Sequence, residues 1–169
     1  MIYLLYDDGS RSEKVILNEL GGCKGIIQSD GYSPYRKLES DAYPHITRIP
    51  CLQHIKRKFI DCGEDEPDAK RIVELINTLY QNEHKHKIGV DGWTVEQNLV
   101  HRKKYAPDIL GEIKDVLDDI EERGDLLPKS ELKEAVTYLR NEWNAVVDIF
   151  NYGDTYLDNN MVERMNRYI

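Results

Sequence analysis

The residues with the clearest chemical potential are Asp158-Asn159-Asn160-Met161-Val162-Glu163-Arg164, a polar run that opens an amphipathic helix. With a rotation of about 100° per residue, the apolar side of this helix carries Met161, Val162, Met165 and Ile169. The polar side carries Asn159, Asn160, Glu163, Arg164 and Arg167. Glu163, flanked by amides and arginines, therefore suits metal or phosphate chemistry better than a place in the core. Ordinary roles stay open, because Asp and Asn cap helices and Glu163 with Arg167 can form an i,i+4 pair.

A second carboxylate, Asp30, directly follows an apolar run that predicts a buried strand, and it precedes Gly31. In open α/β sheets, ligands gather beyond the carboxyl ends of the strands, so Asp30 is a candidate metal ligand. The alternative is an Asp-Gly turn. Divalent metals such as Mg²⁺ prefer carboxylate oxygens, and two-metal sites need more than one carboxylate. A strand-end Asp30 and a late-helix Glu163 would fit such a site, although their spacing in the sequence does not show that they meet.

Two basic clusters are candidates for contact with nucleic acid, although the net charge of −8 opposes wholesale binding of phosphates. The first cluster supplies the candidate DNA-binding residues His54, Lys56, Arg57 and Lys58. The second, His101 to Lys104, is better interpreted as a solvated helix face. Cys51-x-x-His54 is also half of a zinc motif, but no second pair of ligands has a suitable spacing. Cys51 is therefore better explained as a small buried hydrophobe.

The elements that position these residues follow from hydrophobic patterning. Apolar runs predict strands at residues 2–6, 25–29 and 45–50, with a helix from Ser12 to Leu20. From Cys51 onward, apolar residues recur at helical spacing. Helices are predicted from Cys51, around residues 72–79, over 95–104 and 109–122, and from 128 to 150. The chain thus combines an α/β part with a helical middle.

Composition narrows the class of protein further. A length of 169 residues fits one domain, or one domain with an insertion. No apolar run approaches the length of a membrane span, so we expect no membrane partner. No secretory leader precedes a cleavage site, and three cysteines cannot all pair within one chain. We therefore expect reduced thiols and a cytoplasmic location.

Four sequence motifs occur in order along the chain. The first is Ile27-Gln28-Ser29-Asp30-Gly31-Tyr32 followed by Tyr35, and the second is Cys51-Leu52-Gln53-His54-Ile55-Lys56-Arg57-Lys58-Phe59. The third is Leu127-Pro128-Lys129-Ser130 followed by Tyr138 and Trp143. The fourth is the run that begins at Asp158, with Asn166 and Arg167 after it. Each motif alone is weak, but four in sequence are specific, and together they resemble the transposase family of the insertion-sequence 66 type.

The resemblance implies an incomplete ribonuclease H-like fold of the α/β class, with three remaining strands and a large helical insertion. Its domains would be an α/β part at 1–62, the insertion at 63–154, and a catalytic-type helix at 155–169 that returns to the α/β part. In such Asp-Asp-Glu enzymes, three carboxylates hold two Mg²⁺ or Mn²⁺ ions that cleave DNA strands and transfer them to a target. The resemblance implies that Asp30 is the second carboxylate and Glu163 the third, within about 8 Å of one another. It also implies that Asn160, Arg164 and Arg167 bind DNA.

The same resemblance places the first catalytic Asp upstream of Ile2, so Asp7 and Asp8 do not take that role. We therefore expect a fragment that is truncated at both ends, inactive alone, and able to form a homodimer through an exposed sheet edge. DNA, as transposon ends and target, is the expected partner. The alternative is a non-enzymatic helical module that binds DNA or another protein.

Overall fold

A computed structural model describes residues 13–160, which divide into two compact units. We call residues 13–51 with 158–160 the sheet unit, and residues 52–157 the helical unit. The predicted strand at 2–6 lies outside the described residues, as do Glu163, Arg164 and Arg167. Each unit is described separately below.

The sheet unit contains two parallel strands, β1 (Gly25–Ser29) and β2 (Ile46–Pro50). Helix α1 (Glu13–Leu20) precedes β1, and the connection between the strands holds α2 (Ser33–Arg36) and a 3₁₀ turn (Lys37–Glu39). The two strands pair in register from Gly25 opposite Ile46 to Ser29 opposite Pro50. Parallel strands need such a crossover connection, and here it carries the chain away from the end of β1 directly after Asp30.

One small apolar cluster holds these elements together. Ile16 and Leu20 of α1 are buried against Leu38 and Ile46. Half-buried Leu17, Cys23, Ile27, Tyr35 and Tyr43 surround them. A helix that covers one face of a parallel sheet is the arrangement expected for α/β proteins, so the α/β prediction is confirmed for this unit. The described sheet has two strands, and the ribonuclease H-like classification stays a prediction.

The helical unit consists of four helices, α3 (Leu52–Ile60), α4 (Pro67–Glu83), α5 (Val95–Arg123) and α6 (Glu131–Ile149). Helix α3 packs against α4 and α6, and α4 also packs against α5. Local signals set the boundaries of these helices. Pro67 opens α4, Thr94 and Gln97 form a capping box on α5, and Ser130 caps α6.

The prediction of separate helices at 95–104 and 109–122 is wrong, because α5 runs unbroken over 29 residues with Pro107 inside it. A proline in a helix interior removes one backbone hydrogen bond and normally breaks or kinks the helix. Here the buried stripe continues through Ala106, Ile109 and Ile113. Burial of that stripe outweighs the local preference of Pro107. Gly124, with a φ of 65°, ends the helix.

The core of the helical unit is the set of apolar stripes seen in the sequence. On α3, Leu52, Ile55 and Phe59 are buried, as their spacing predicts. Cys51, directly before α3, is 1% exposed, so its interpretation as a small buried hydrophobe is confirmed. Across residues 13–160, no helix has both the length and the apolar content that a membrane crossing requires.

Candidate metal and nucleic-acid sites

Asp30 occupies the first position after β1, at the carboxyl end of the strand. Its side chain is half-buried. One carboxylate oxygen, Oδ1, accepts a hydrogen bond from the backbone N–H of Tyr32 at 3.2 Å. This contact is the Asx-type turn that the alternative interpretation predicts. The turn also orients the carboxylate, so the structural and functional roles of Asp30 are compatible.

The buried side chain of Arg48 stabilises the end of β1. Arg48 of β2 is 2% exposed, and its guanidinium donates to the Ser29 hydroxyl and to the Asp30 carbonyl, both at 3.4 Å. Glu39 forms an ion pair with Arg48. A buried charge needs such partners. The turn at Asp30 is therefore anchored through its backbone carbonyl.

The Asp30 carboxylate fits the donor chemistry of Mg²⁺ or Mn²⁺. It takes part in no ion pair with another residue of the 13–160 range, and its Oδ2 accepts no hydrogen bond there. Mg²⁺ is commonly held by one or two carboxylates plus waters and substrate phosphates. Within the described range, no group of three or more His, Cys, Asp or Glu side chains is placed to hold a metal. Further ligands would have to come from the rest of the chain, from a larger protein or from substrate.

The segment that leads to Glu163 belongs to the same compact unit as Asp30. Residues 158–160 cluster with the sheet unit although more than a hundred residues separate them from β1 in sequence. Asp158 accepts a hydrogen bond from the backbone N–H of Asn160 at 3.0 Å, an Asx-type turn. Asn160 is half-buried. Because Glu163 lies beyond the described residues, its separation from Asp30 stays a prediction.

The first basic cluster lies on α3, in the helical unit. Arg57 and Lys58 are exposed, whereas His54 and Lys56 are half-buried. The Lys56 ammonium lies 5.9 Å from the centroid of the Tyr80 ring on α4. The Lys58 ammonium lies 5.6 Å from the centroid of the Tyr138 ring on α6. Lys56 and Lys58 therefore lie over aromatic rings of two different neighbouring helices, α4 and α6.

The second basic cluster contains the largest departure from its predicted environment. The interpretation of residues 101–104 as a solvated face is wrong for Arg102, whose side chain is fully buried. Its guanidinium pairs with Glu83 at the end of α4, with Nε at 3.0 Å from Oε2. It also donates to the carbonyls of Ile149 and Tyr152 and to the hydroxyl and carbonyl of Thr155 at 2.6 Å each.

Two further contacts complete this buried polar cluster. Asn98, one turn before Arg102, donates to the Gly153 carbonyl at 2.8 Å and to Glu83 at 3.4 Å. The Tyr105 hydroxyl donates to Glu83 at 2.8 Å. Together these side chains bind the segment 149–155, which connects α6 to Asp158. The sequence signal was present, since Asn98, Arg102, Ala106 and Ile109 continue one helical stripe.

The charges in this cluster are mutually stabilised. Burial alone would raise the pKa of Glu83, but the hydrogen bonds and positive charge of Arg102 outweigh burial and hold that pKa below its ordinary value. Burial, reinforced by the negative charge of Glu83, raises the pKa of Tyr105. Glu83 is therefore an anion and Tyr105 a neutral donor at neutral pH. A charge-assisted cluster of this kind specifies one geometry for the segment it binds.

Comparisons with known proteins give the class and then the family. The model described as "Transposase IS66 family" matches residues 1–169. The chain therefore belongs to the IS66 transposase family, as the four motifs indicated. No solved structure matches.

Two curated relatives come from Sinorhizobium fredii (strain NBRC 101917 / NGR234), and both are described as uncharacterized proteins. The protein y4jD is 28% identical over 162 residues, which cover 92% of this chain and 30% of that relative. The protein y4qI is 26% identical over 175 residues, which cover 99% of this chain and 31% of that relative. The chain thus spans about three tenths of the length of the curated relatives it matches.

Proposed function

We propose that this chain supplies part of the catalytic domain of a DNA transposase that cleaves and transfers strands with the help of Mg²⁺ or Mn²⁺. Asp30 and Glu163 would provide carboxylate oxygens to the metal. The observation that carries the proposal is that residues 158–160 of the transposase-type motif belong to the same compact unit as Asp30. Family membership over the whole chain supports it independently.

The proposed chemistry follows from these carboxylate donors. A bound divalent cation would supply charge stabilisation for the phosphoryl group and a more acidic water. The chain's own contribution is to hold the Asp30 carboxylate at the strand end, through the Tyr32 N–H and the contacts of Arg48 to the backbone. Asn160, Arg164 and Arg167 would bind phosphates on the polar side of the helix that carries Glu163. His54, Lys56, Arg57 and Lys58 would extend the contact with DNA.

Iron-mediated cleavage of the polypeptide tests whether the two carboxylates share a metal. Fe²⁺ can replace Mg²⁺ at carboxylate sites, and with ascorbate and peroxide it generates radicals that cut nearby backbone. We expect cuts close to residue 30 and close to residues 158–164, with protection by excess Mg²⁺. Asp30→Asn and Glu163→Gln should each remove both sets of cuts. Cuts at only one of the two places would contradict a shared site.

A matched control separates metal binding from a general loss of charge. Asp41 is an exposed carboxylate in the same unit, and Asp41→Asn removes the same charge outside the strand end. That variant should retain the wild-type cutting pattern. Activity is then tested by a cleavage assay with Mn²⁺ on duplexes that carry transposon ends, using this chain extended to the length of its curated relatives. Equal strand cleavage by wild type and Asp30→Asn would remove Asp30 from the mechanism.

A further inference from the structure

The basic residues of the helical unit are unevenly distributed. Residues 84–104 contain five Lys or Arg and three His against two acidic residues, Asp91 and Glu96. Residues 108–125 contain eight Asp or Glu against two basic residues, Lys114 and Arg123. Because α5 is about 43 Å long, at about 1.5 Å per residue, these charges lie towards opposite ends of one helix. The helical unit therefore has a basic end although the net charge of the whole chain is −8.

Few of the positive charges at this end have an acidic partner among residues 13–160. At the acidic end, Lys114 pairs with Asp118 and Arg123 with Asp68. At the basic end, Arg102 is the one Lys or Arg that is ion-paired within the described residues, and it is buried. Lys85 and Lys103 donate to the side-chain amide oxygens of Asn82 and Asn151. Lys87 and Lys104 are exposed and form no ion pair with any residue in the 13–160 range.

A closed loop holds aromatic rings among these lysines. The His86 ring stacks on Trp93, with centroids 3.8 Å apart and planes 14° apart, and the ring of His101 lies 5.3 Å from that of His86. The loop is closed where the Gly89 N–H donates to the Trp93 carbonyl at 2.9 Å. Gly89 and Gly92 have φ values of 81° and 75°, which glycine adopts without strain. Lys85 and Lys87 are thus attached to a braced loop.

The surface continues from this loop onto α3. The ring of His84 lies 6.1 Å from that of Tyr80, and Lys56 lies over the other ring of this pair, at 5.9 Å from the Tyr80 centroid. We call the surface formed by Lys56, Lys85, His86, Lys87, Trp93, His101, Lys103 and Lys104 the basic tip.

We propose that the basic tip is a DNA-binding surface of the helical unit, in which the lysines bind backbone phosphates and the His86–Trp93 stack braces the loop that presents them. Lysines without an acidic partner, held in a rigid loop, bind a DNA backbone favourably, because their binding to phosphates releases the counterions condensed on the DNA. The acidic end of α5 opposes binding in the reverse orientation. This inference goes beyond the proposed metal chemistry, since phosphate binding by lysine requires no divalent cation.

Salt dependence provides the first test, with the 169-residue chain, a labelled duplex and EDTA throughout. The tip variant combines Lys85→Gln, Lys87→Gln and Lys104→Gln. The control combines Lys70→Gln, Lys114→Gln and Lys133→Gln, exposed residues elsewhere in the helical unit, with the same change in net charge. Fluorescence anisotropy gives the slope of log affinity against log salt.

The expected result follows from counterion release. Each phosphate contact adds about 0.9 to the slope, so the tip variant should lose about 2.7 units. Between 50 and 200 mM salt, the affinity ratio of wild type to tip variant should therefore change about 40-fold. The control should lose less than about one unit. Equal slopes for the two triple variants, or a wild-type slope for the tip variant, would overturn the proposal. Asp30→Asn should leave this binding intact whether or not the proposed metal site exists.

Fluorescence of Trp93 provides the second test. The chain has two tryptophans, so Trp143→Phe leaves Trp93 as the sole indole. Its emission should change on addition of DNA, with the same midpoint as the anisotropy titration. An unchanged emission at saturation would place the DNA elsewhere and reject the basic tip. Circular dichroism confirms that each variant is folded.

Discussion

Replacement of Arg102 by methionine should destabilise the helical unit severely, although the side chain belongs to a run of basic residues. The guanidinium is fully buried and makes a charge pair with Glu83. It also bonds to carbonyls of the segment that follows α6. Methionine keeps much of the volume but leaves Glu83 without its cation and the carbonyls without their donor.

The magnitude can be worked from these contacts. Removal of one partner from a buried ion pair costs about 3–5 kcal/mol, because an uncompensated charge stays behind. The Glu83 side chain retains 17% exposure, so water relieves part of that cost and the lower end applies. We expect a loss of about 3 kcal/mol in the free energy of unfolding. For a chain of 169 residues this corresponds to a fall of about 10 °C in Tm.

Urea unfolding followed by circular dichroism measures this loss. Lys104→Met, an exposed neighbour two residues along, is the control and should stay within about 0.5 kcal/mol of wild type. In the double variant of Arg102→Met with Glu83→Gln, the stranded charge is gone, so the total loss should be smaller than the sum of the single losses. A loss below about 1 kcal/mol for Arg102→Met, or strict additivity, would refute the buried-pair reasoning.

Three other predictions concern the same unit. Gly153→Ala should lower the free energy of unfolding by about 1–3 kcal/mol, because a Cβ would lie 2.1 Å from the Val95 carbonyl oxygen. In the control Gly111→Ala, the added Cβ meets nothing within 4 Å, so this variant should raise the free energy of unfolding by about 0.5–1 kcal/mol in urea. Thr94→Ala should cost about 1 kcal/mol by loss of the capping box, measured in the same way. Because folding lowers the pKa of Glu83, the charged carboxylate stabilises the folded protein fully at pH values above its ordinary pKa of 4.5, and this stabilisation is lost as the pH falls through the pKa of the folded state. Glu83→Gln should therefore make Tm less dependent on pH in the acid range, which a pH series of Tm measures.

Much of the local structure could be predicted because its signals are short-range. The strand at Gly25–Ser29 matches its prediction, and that at Ile46–Pro50 begins one residue late, since apolar runs between turn residues are typical of buried strands. Helix α5 ends at Arg123, one residue beyond the predicted 122, and α6 spans Glu131–Ile149 against the predicted 128–150. The burial of Cys51 also followed from residue type.

The failures arise where distant parts of the chain decide the outcome. Arg102 is buried because Glu83 precedes it by 19 residues and Thr155 follows it by 53, and composition of the run 101–104 cannot show either partner. Local rules disfavour Pro107 in a helix interior, whereas the packing of α5 overrides that preference and joins the two predicted helices. For Asp30, the sequence predicted the strand end but not the buried Arg48 that anchors the turn.

The hydrogen bond between the Leu52 N–H and the Leu157 carbonyl, at 2.9 Å, has a consequence for how this family can vary in length. The first and last residues of the segment 52–157 are therefore neighbours, so this segment can change in length or be exchanged without a change in the distance between the residues that flank it. A deletion that joins residue 52 directly to residue 157 would have to bridge only about 5 Å, the spacing of neighbouring backbones. A circular permutant of residues 52–157 would meet the same short gap, which makes this stretch a natural unit for recombination between relatives.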